Sequence, residues 1–530
     1  MNLYDIVAKN VSLYPGKTAI KYLGQTLCYA SFGEMVEQTA SACCHLGVRS
    51  GDIVTVALPS TPESMAVVYA LNKIGAVVNT VDVRFTAAQV TSIVNGLKAK
   101  MLFVMDFNSK EVAAVADQMC VEHIVVIRGG DVFLPRGSAK YLLYRLFGGC
   151  YHKVFQEKKF MQWDDLLALS NGEASSHRWS DDSAQMIFQT SGTTGRTKSV
   201  MLTAENITSA VESTREVMNA VAPSDTVLGL IPLFAFYGFA TTIHLPLALG
   251  LTVDIVPIWK PKNFVKTIAR HKAQHVFTVP SSWDYILRSS SRRTDLSSLK
   301  TVEIAGDVVR PEYERAINDY LARCGCKYVI TKVYGMTETA GIVACTPQSS
   351  PHKYDMGFSG QATAGHRLRI ADGEVLVSHA TKLLGYYGNK EATASLLTND
   401  ENGVVWLHTG DYGNLDGEGN LYVSGRMKRM LVRFDGTKVF PVEIEDALLR
   451  HPEVRNCAVV GVRDDKHPQS SLPVAFCVVK NKDCKTKNSL IRFAKESLQE
   501  YLRPSQILFL DEIPVTERGK VDYSRLCELV

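Results

Sequence analysis

Up to about residue 360, apolar runs of strand length alternate with helix-patterned stretches, and this alternation limits the possible folds more than any other feature. The runs DIVTVAL (52–58), MLFVM (101–105) and HIVVI (123–127) are almost wholly apolar, while ESMAVVYALNKIGA (63–76) has helical spacing. A strand that is apolar on both faces must be covered on both faces, so the pattern predicts α/β architecture with parallel sheets under helices. Further on, GEVLVS, WLHTGDYG and NLYVSGRMKRMLV are shorter and richer in glycine, which predicts a smaller β element. The last hundred or so residues read as a compact α+β domain.

A chain of 530 residues, 46% hydrophobic and 21% charged, can bury a large core divided over two or more domains. Its formal net charge of +4 is too small to point to nucleic acid as a partner. The twelve cysteines include no C-x-x-C, and the close pair Cys324 and Cys326 has no second pair beside it, so neither a zinc site nor a disulfide framework is expected. No basic flank and apolar run open the chain, and Glu528-Leu529-Val530 is not a sorting address, which makes the cytoplasm the expected location. Between Asp225 and Asp254 there is no ionised side chain, and the intervening segment is long enough to span a bilayer. Pro232, Gly238, Pro246 and Gly250 interrupt it, however, and predict a buried strand, a short helix and a second buried strand. Residues 138–160 form a basic amphipathic stretch that could make weak peripheral contact with a membrane, the plainer reading being a solvated surface helix. His271 and His275 stand four apart on an expected helix, but Lys272 occupies the place where a zinc protease needs glutamate.

The strongest local signal is FQTSGTTGRTKS, residues 188–199. Gly192 and Gly195 let the backbone curl with its amides inward, Thr190, Ser191, Thr193 and Thr194 add hydroxyls, and Lys198 adds a positive charge. This is the composition of a phosphate cradle, although Thr197 stands where the usual P-loop has glycine before its lysine.

The loop begins an ordered series: PLFAFYG (232–238), AGDVV (305–309), YGMTET (334–339), GYYGN (385–389), HTGD (408–411), GRMKRML (425–431), DGTKVFPVEIE (435–445) and ERGKVD (517–522). In this the chain resembles the adenylate-forming superfamily of acyl-CoA synthetases, luciferases and stand-alone adenylation domains. The resemblance implies a large N-terminal domain (1–428) with two parallel-type sheets and a small barrel-like β element, followed by a small mobile α+β domain (429–530). It implies that residues 190–195 and Lys198 hold the β- and γ-phosphates of ATP, that Tyr334 with Gly335 lies against the adenine, and that Gly306, Asp307 and Val308 line the other side of the purine. Thr337 would reach the α-phosphate, Glu338 would hold Mg²⁺, Asp411 would accept the ribose hydroxyls and Arg426 would reach the ribose and phosphate. Lys520 would bridge the acid's carboxylate and the α-phosphate, where negative charge gathers. Arg429 would be the hinge of the small domain, and the loop around Gly436 would form a thiol tunnel after rotation.

The implied activity is conversion of a carboxylic acid to acyl-AMP with release of pyrophosphate, then transfer to a thiol. Coenzyme A is the favoured acceptor, and the phosphopantetheine arm of a carrier protein remains the alternative. A luciferase-like oxygenase and a non-catalytic nucleotide binder are more distant options, and the sequence leaves the oligomeric state open. Four departures from the family pattern stand out. Arg196-Thr197-Lys198-Ser199 lacks the usual flanking proline and glycine, Lys332 replaces an amide residue two before Tyr334, Arg429 replaces the usual aspartate or lysine at the hinge, and Ala235 replaces a histidine common in acyl-CoA synthetases. Ala235 leaves an apolar wall, with Phe236, Tyr237 and Gly238 expected against an uncharged fatty or aromatic tail.

Overall fold

A computed structural model describes residues 2–128, 159–191, 197–257, 261–283, 294–381, 383–435, 437–467, 470–515 and 521–530. They form two compact units, Met1–Arg367 with Val377–Leu407, and Leu368–Leu376 with His408–Val530.

In the first unit the three apolar runs become the strands Ile53–Ala57, Met101–Met105 and His123–Ile127. They lie in a seven-stranded sheet whose order continues from Phe160–Gln162 through these three to Val77–Thr80, Met186–Ser191 and Thr197–Leu202. All neighbours are parallel except the last two, which form a hairpin. The helix Pro62–Lys73 starts with proline in its first turn and a capping box in which Thr61 and Ser64 satisfy one another's backbone amides. Glu63–Lys73 are all buried, which explains why the middle of the helix, Met65–Leu71, is apolar all round.

The second sheet of this unit has a parallel centre, Thr252–Ile255, Thr226–Gly229, His275–Thr278, Thr301–Ile304 and Thr331–Met336 in spatial order. Gly341–Cys345 and then Phe358–Ala362 extend it antiparallel beyond Thr331–Met336. The bilayer-length segment resolves into the strands Thr226–Gly229 and Thr252–Ile255 joined by three short helical pieces, Phe236–Gly238, a π-turn at Phe239–His244, and Leu245–Ala248. Among the described residues no helix is long and apolar enough to cross a membrane. In the π-turn region the Thr241 and Thr242 hydroxyls donate to the carbonyls of Tyr237 and Gly238, taking up acceptors beside a disturbed helical ladder.

One helical expectation fails. The helix Phe264–His271 stops at His271 because Lys272 turns into the left-handed region (φ 47°), and His275 begins the next strand. The two histidines therefore do not share a helix face. His271 Nδ1 lies 2.8 Å from Asp254, and buried His275 bridges Asp225 and Thr301 at 3.0 Å each.

In the second unit, the Asp411–Leu415 end of the strand Val405–Leu415 pairs with Leu421–Arg426, setting Asp411 opposite Arg426. Tyr412, on that hairpin, packs its ring 4.7 Å from Phe440, and the C-terminal residues add the antiparallel pair Val454–Arg463 and Ser471–Val479 with Gln506–Leu510 parallel to the latter. The helices Pro441–Leu449 and Cys484–Ser497 bury Ile444, Leu448, Leu490 and Ala494 against this sheet. The hairpin from His408 onwards belongs to the second compact unit.

Burial pushes His244, hydrogen-bonded to Tyr69 at 3.0 Å, down to about 4. His379 is pushed down to about 4 by burial and by His366, whose ring lies 4.4 Å away. Both are neutral in the folded protein near neutral pH. An unfolded histidine takes up its proton near 6.5, so stability is full above that value and falls as the acidity rises towards pH 4, each group contributing a loss of about 1.4 kcal/mol for every pH step of one. Denaturant melts at pH 7.5, 6 and 5 should show this loss, and His379→Gln should make the slope shallower; an unchanged slope would assign the acid sensitivity to other groups.

Candidate functional site

The hairpin Met186–Ser191 and Thr197–Leu202 sets Thr190 opposite Lys198. Residues 192–196 lie outside the described residues, so the expected phosphate loop is described only at its two stems, and nothing is described of the Ser191 side chain. A second segment joins the outgoing stem: Tyr386 bridges to Val200, Tyr387 N–H donates to Ser199 O at 2.9 Å, and Met201 N–H donates to Gly385 O at 3.0 Å. The Lys198 ammonium sits 4.5 Å from the centre of the Tyr386 ring, within cation–π range.

A third segment supplies the carboxylate. The strand Thr331–Met336 ends in a 3₁₀ turn, Thr337–Thr339, held by the Thr339 hydroxyl, which accepts from Met336 N–H at 3.0 Å. Buried Glu338 projects from this turn, and its Oε1 accepts the hydroxyls of both Thr190 (3.2 Å) and Tyr386 (3.1 Å). Thr337 lies beside it, partly exposed. Gly335 has no room for a side chain, since an added Cβ would stand 2.0 Å from Gly341 O. Tyr334, just before it, is half-buried.

Two neighbouring strands bring the other expected groups to the same unit. Thr301–Ile304 runs into Ala305, fixed by its N–H to Thr278 O at 3.0 Å, and then exposed Gly306, Asp307 and Val308, with Gly306 at φ 89°. On the apolar side, the Phe236 ring packs edge-on to Phe188 at 5.3 Å, two residues before Thr190. Gly238 must be glycine here, because a Cβ would meet Pro232 O at 2.2 Å. Tyr237 differs from the apolar expectation: its phenol donates to Glu303 Oε1 at 2.9 Å.

Lys332, where the family pattern has an amide residue, is turned away into the core. Its Nζ lies 2.7 Å from Glu314 Oε2 and donates to Lys353 O at 2.7 Å, and both members of the pair are buried. Burial outweighs mutual attraction in each, holding Glu314 above and Lys332 below their usual ranges.

In the second unit Asp411 is buried and its Oδ1 lies 3.0 Å from Arg426 Nε. Arg426 also donates to Thr409 O at 2.9 Å, the Thr409 hydroxyl donates to Val375 O at 2.7 Å, and Gly410 N–H donates to Glu374 Oε1 at 2.8 Å. Arg429 lies 2.7 Å from Glu445 Oε1 and stacks 3.7 Å over the Tyr523 ring. Lys520 and Gly436 lie outside the described residues, as do residues 138–158 of the basic amphipathic stretch.

Sequence reading placed Thr190, Lys198, Thr337 and Glu338 together but missed Tyr386 and Glu303. Tyr386 was present as the GYYGN motif without an assigned role. Glu303 is hidden in TVEI, an ordinary strand pattern, where a single acid carries no signal of burial.

The carboxylate of Glu338 and the oxygens of Thr190 and Thr337 are hard donors of the kind that, with phosphate oxygens, suit Mg²⁺. Losing one hydrogen bond to a charged acceptor costs roughly 1.5–3 kcal/mol. Tyr386→Phe should therefore weaken magnesium–ATP binding about tenfold or more, with Glu338→Gln losing more still, as measured by calorimetry. Unchanged affinity in Tyr386→Phe would mean that the phenol does not orient the carboxylate. Separately, Glu314→Ala leaves Lys332 buried without its partner and should cost roughly 3–5 kcal/mol in denaturant melts, whereas Glu314→Leu combined with Lys332→Met should cost far less.

Residues 7–387 match the AMP-binding enzyme family and residues 443–520 match the AMP-binding enzyme C-terminal domain. An indoleacetate–CoA ligase of Aromatoleum aromaticum is 26% identical, the match covering 100% of this chain and 98% of that one. A 4-coumarate–CoA ligase of Humulus lupulus is 25% identical over 98% of this chain and 92% of its own. The crystal structure of an anthranilate CoA ligase in complex with anthranoyl-AMP shares the fold, with a TM-score of 0.83 at 22% identity over 100% and 97% of the two chains. With its motifs in family order and both domain matches present, this chain belongs to the AMP-binding enzyme family of the adenylate-forming superfamily.

Proposed function

We propose that the protein is an AMP-forming acid–thiol ligase that joins a carboxylic acid to coenzyme A. The observation that carries this reading is the sharing of Glu338 by Thr190 and Tyr386, with Lys198 over the Tyr386 ring. It gathers one carboxylate, two hydroxyls and a cation at the stems of a Ser/Thr/Gly loop, which is what a nucleotide triphosphate with a divalent ion requires.

In the first step an oxygen of the acid's carboxylate attacks the α-phosphorus of ATP, the bond to the β-phosphate breaks, and pyrophosphate leaves. Lys198 and the 190–195 loop would hold the departing phosphates, Thr337 the α-phosphate, and Lys520 the pair of anions that approach one another. Glu338 would hold Mg²⁺, which would supply charge compensation on the phosphates. Tyr334 with Gly335 and the exposed 306–308 segment would enclose the adenine, while Asp411 and Arg426 would take the ribose. In the second step a thiol attacks the acyl carbon and AMP departs with the electron pair of the acyl–oxygen bond. Motion of residues 429–530 about Arg429, bringing the loop at Gly436 to the thiol, belongs to the same reading.

The relatives named above are ligases of indoleacetate and 4-coumarate, both aromatic acids, and of coenzyme A. With the Phe236 wall, they favour an aromatic acid over a fatty one and coenzyme A over a carrier protein. A cytoplasm that supplies ATP and keeps thiols reduced suits this chemistry.

Labelled pyrophosphate should exchange into ATP only when an acceptable acid is present, and AMP should accumulate on addition of coenzyme A. Lys520→Ala should slow the exchange by a hundredfold or more, as removal of a group that stabilises transition-state charge does. Absence of exchange across a broad panel of fatty and aryl acids would overturn the reading, and acyl transfer to a phosphopantetheinylated carrier protein with none to coenzyme A would change the acceptor.

A further inference from the structure

The strand Thr301–Ile304 has two unlike faces. Val302 and Ile304 enter a core with Phe264, Trp283, Ile317 and Leu321. Glu303 alternates to the opposite face, where period-two geometry must place it. That face receives Tyr237, from the segment expected to wall the acyl group. Glu303 is fully buried, its Oε1 accepts the Tyr237 phenol at 2.9 Å, and its Oε2 is buried with no hydrogen-bond partner among the described residues. An unsatisfied carboxyl oxygen inside a protein costs about 1–3 kcal/mol or more, so its persistence calls for a ligand that completes it.

The surroundings fit a substrate-facing role. Three residues after Glu303 the same strand end opens into Gly306, and Phe236, beside Tyr237, contacts Phe188 of the strand that leads to Thr190. A Cβ built on Gly341, next to the Thr337–Thr339 turn, would come within 3.8 Å of the Phe236 ring. Ligands of open α/β sheets bind at such carboxyl ends of strands.

We propose that Glu303, positioned by Tyr237, selects acids whose tail carries a neutral hydroxyl group, which completes the hydrogen bonding of Oε2; this rests on the acid–thiol ligase reading. Burial raises the Glu303 carboxyl to about 8, so near neutral pH it is largely protonated. A hydroxyl can accept from the protonated form and donate to the ionised one, whereas an ammonium suits only the ionised form and a hydrocarbon suits neither. The apolar wall of Phe236 and Phe188 takes the rest of the tail.

The test compares matched acids, cinnamate with 4-hydroxycinnamate and dodecanoate with 12-hydroxydodecanoate, on the full-length wild type, Glu303→Leu and Tyr237→Phe. Pyrophosphate release gives kcat/KM, and calorimetry with the acids alone gives affinity independently of turnover. The wild type should favour one hydroxylated acid over its partner by about tenfold or more, the worth of one hydrogen bond to a buried group. Glu303→Leu should abolish or reverse that ratio, mainly through KM, and Tyr237→Phe should reduce it. Equal ratios in wild type and Glu303→Leu, or a preference for 3-aminomethylbenzoate that Glu303→Leu removes, would overturn the proposal. No pyrophosphate release with any acid, together with hydroxyl-selective binding lost in Glu303→Leu, would instead refute the ligase reading and leave the role of Glu303 standing.

Discussion

The first unit is organised around one oxygen atom. Glu338 Oε1 accepts from Thr190 and Tyr386, residues 148 and 48 positions away in the chain, so a strand-end turn, a hairpin stem and the Gly385 segment meet at a single acceptor. Each of these segments would otherwise be a surface connection with freedom to drift. A carboxylate held by two hydroxyls is oriented before any ligand arrives, and orientation in advance is what makes an ion site effective. The cation–π contact of Lys198 with Tyr386 keeps positive charge near the same carboxylate without a direct ion pair, which would compete with a phosphate for both groups.

Polar groups inside this protein fall into two kinds. Lys332 and Glu314 are buried as an ion pair, and His275 is bridged to Asp225 and Thr301; in both, the ionisable group faces an ionisable partner within the protein. Glu303 is different: its partner is the neutral Tyr237 phenol, and its second oxygen has no hydrogen-bond partner among the described residues. The Lys332 substitution illustrates why a family position cannot be read alone. The side chain that stands where the family has an amide residue finds a carboxylate on the helix Pro311–Arg323 and is buried with it.

The parallel sheets were legible because strands covered on both faces must be apolar along their length, and MLFVM and HIVVI reappear residue for residue as strands. Prolines and glycines likewise divided the 225–254 segment correctly into strand, short helical part and strand. The position of His275 was not legible, since a helix ended by a left-handed lysine gives no stop signal of the glycine type. In the site, Thr190, Lys198, Thr337 and Glu338 could be read from ordered motifs, whereas the Tyr237–Glu303 contact joins residues 66 positions apart and exists only after the sheet has formed. Long-range pairs of this sort leave no trace in local spacing.

The crossing of Gly335 and Gly341 has a consequence for how such a protein changes over evolutionary time. With backbone against backbone, neither residue can acquire a side chain: one would strike a carbonyl at 2.0 Å and the other the Ala210 methyl at 2.8 Å. The strand Thr331–Met336 and the segment that follows the Glu338 turn are thereby held close to each other by the lack of atoms at Gly335. Phe236 and Tyr237 of the neighbouring wall stand in no such backbone crossing, so descendants of this sequence can exchange those two side chains while the crossing itself stays unaltered.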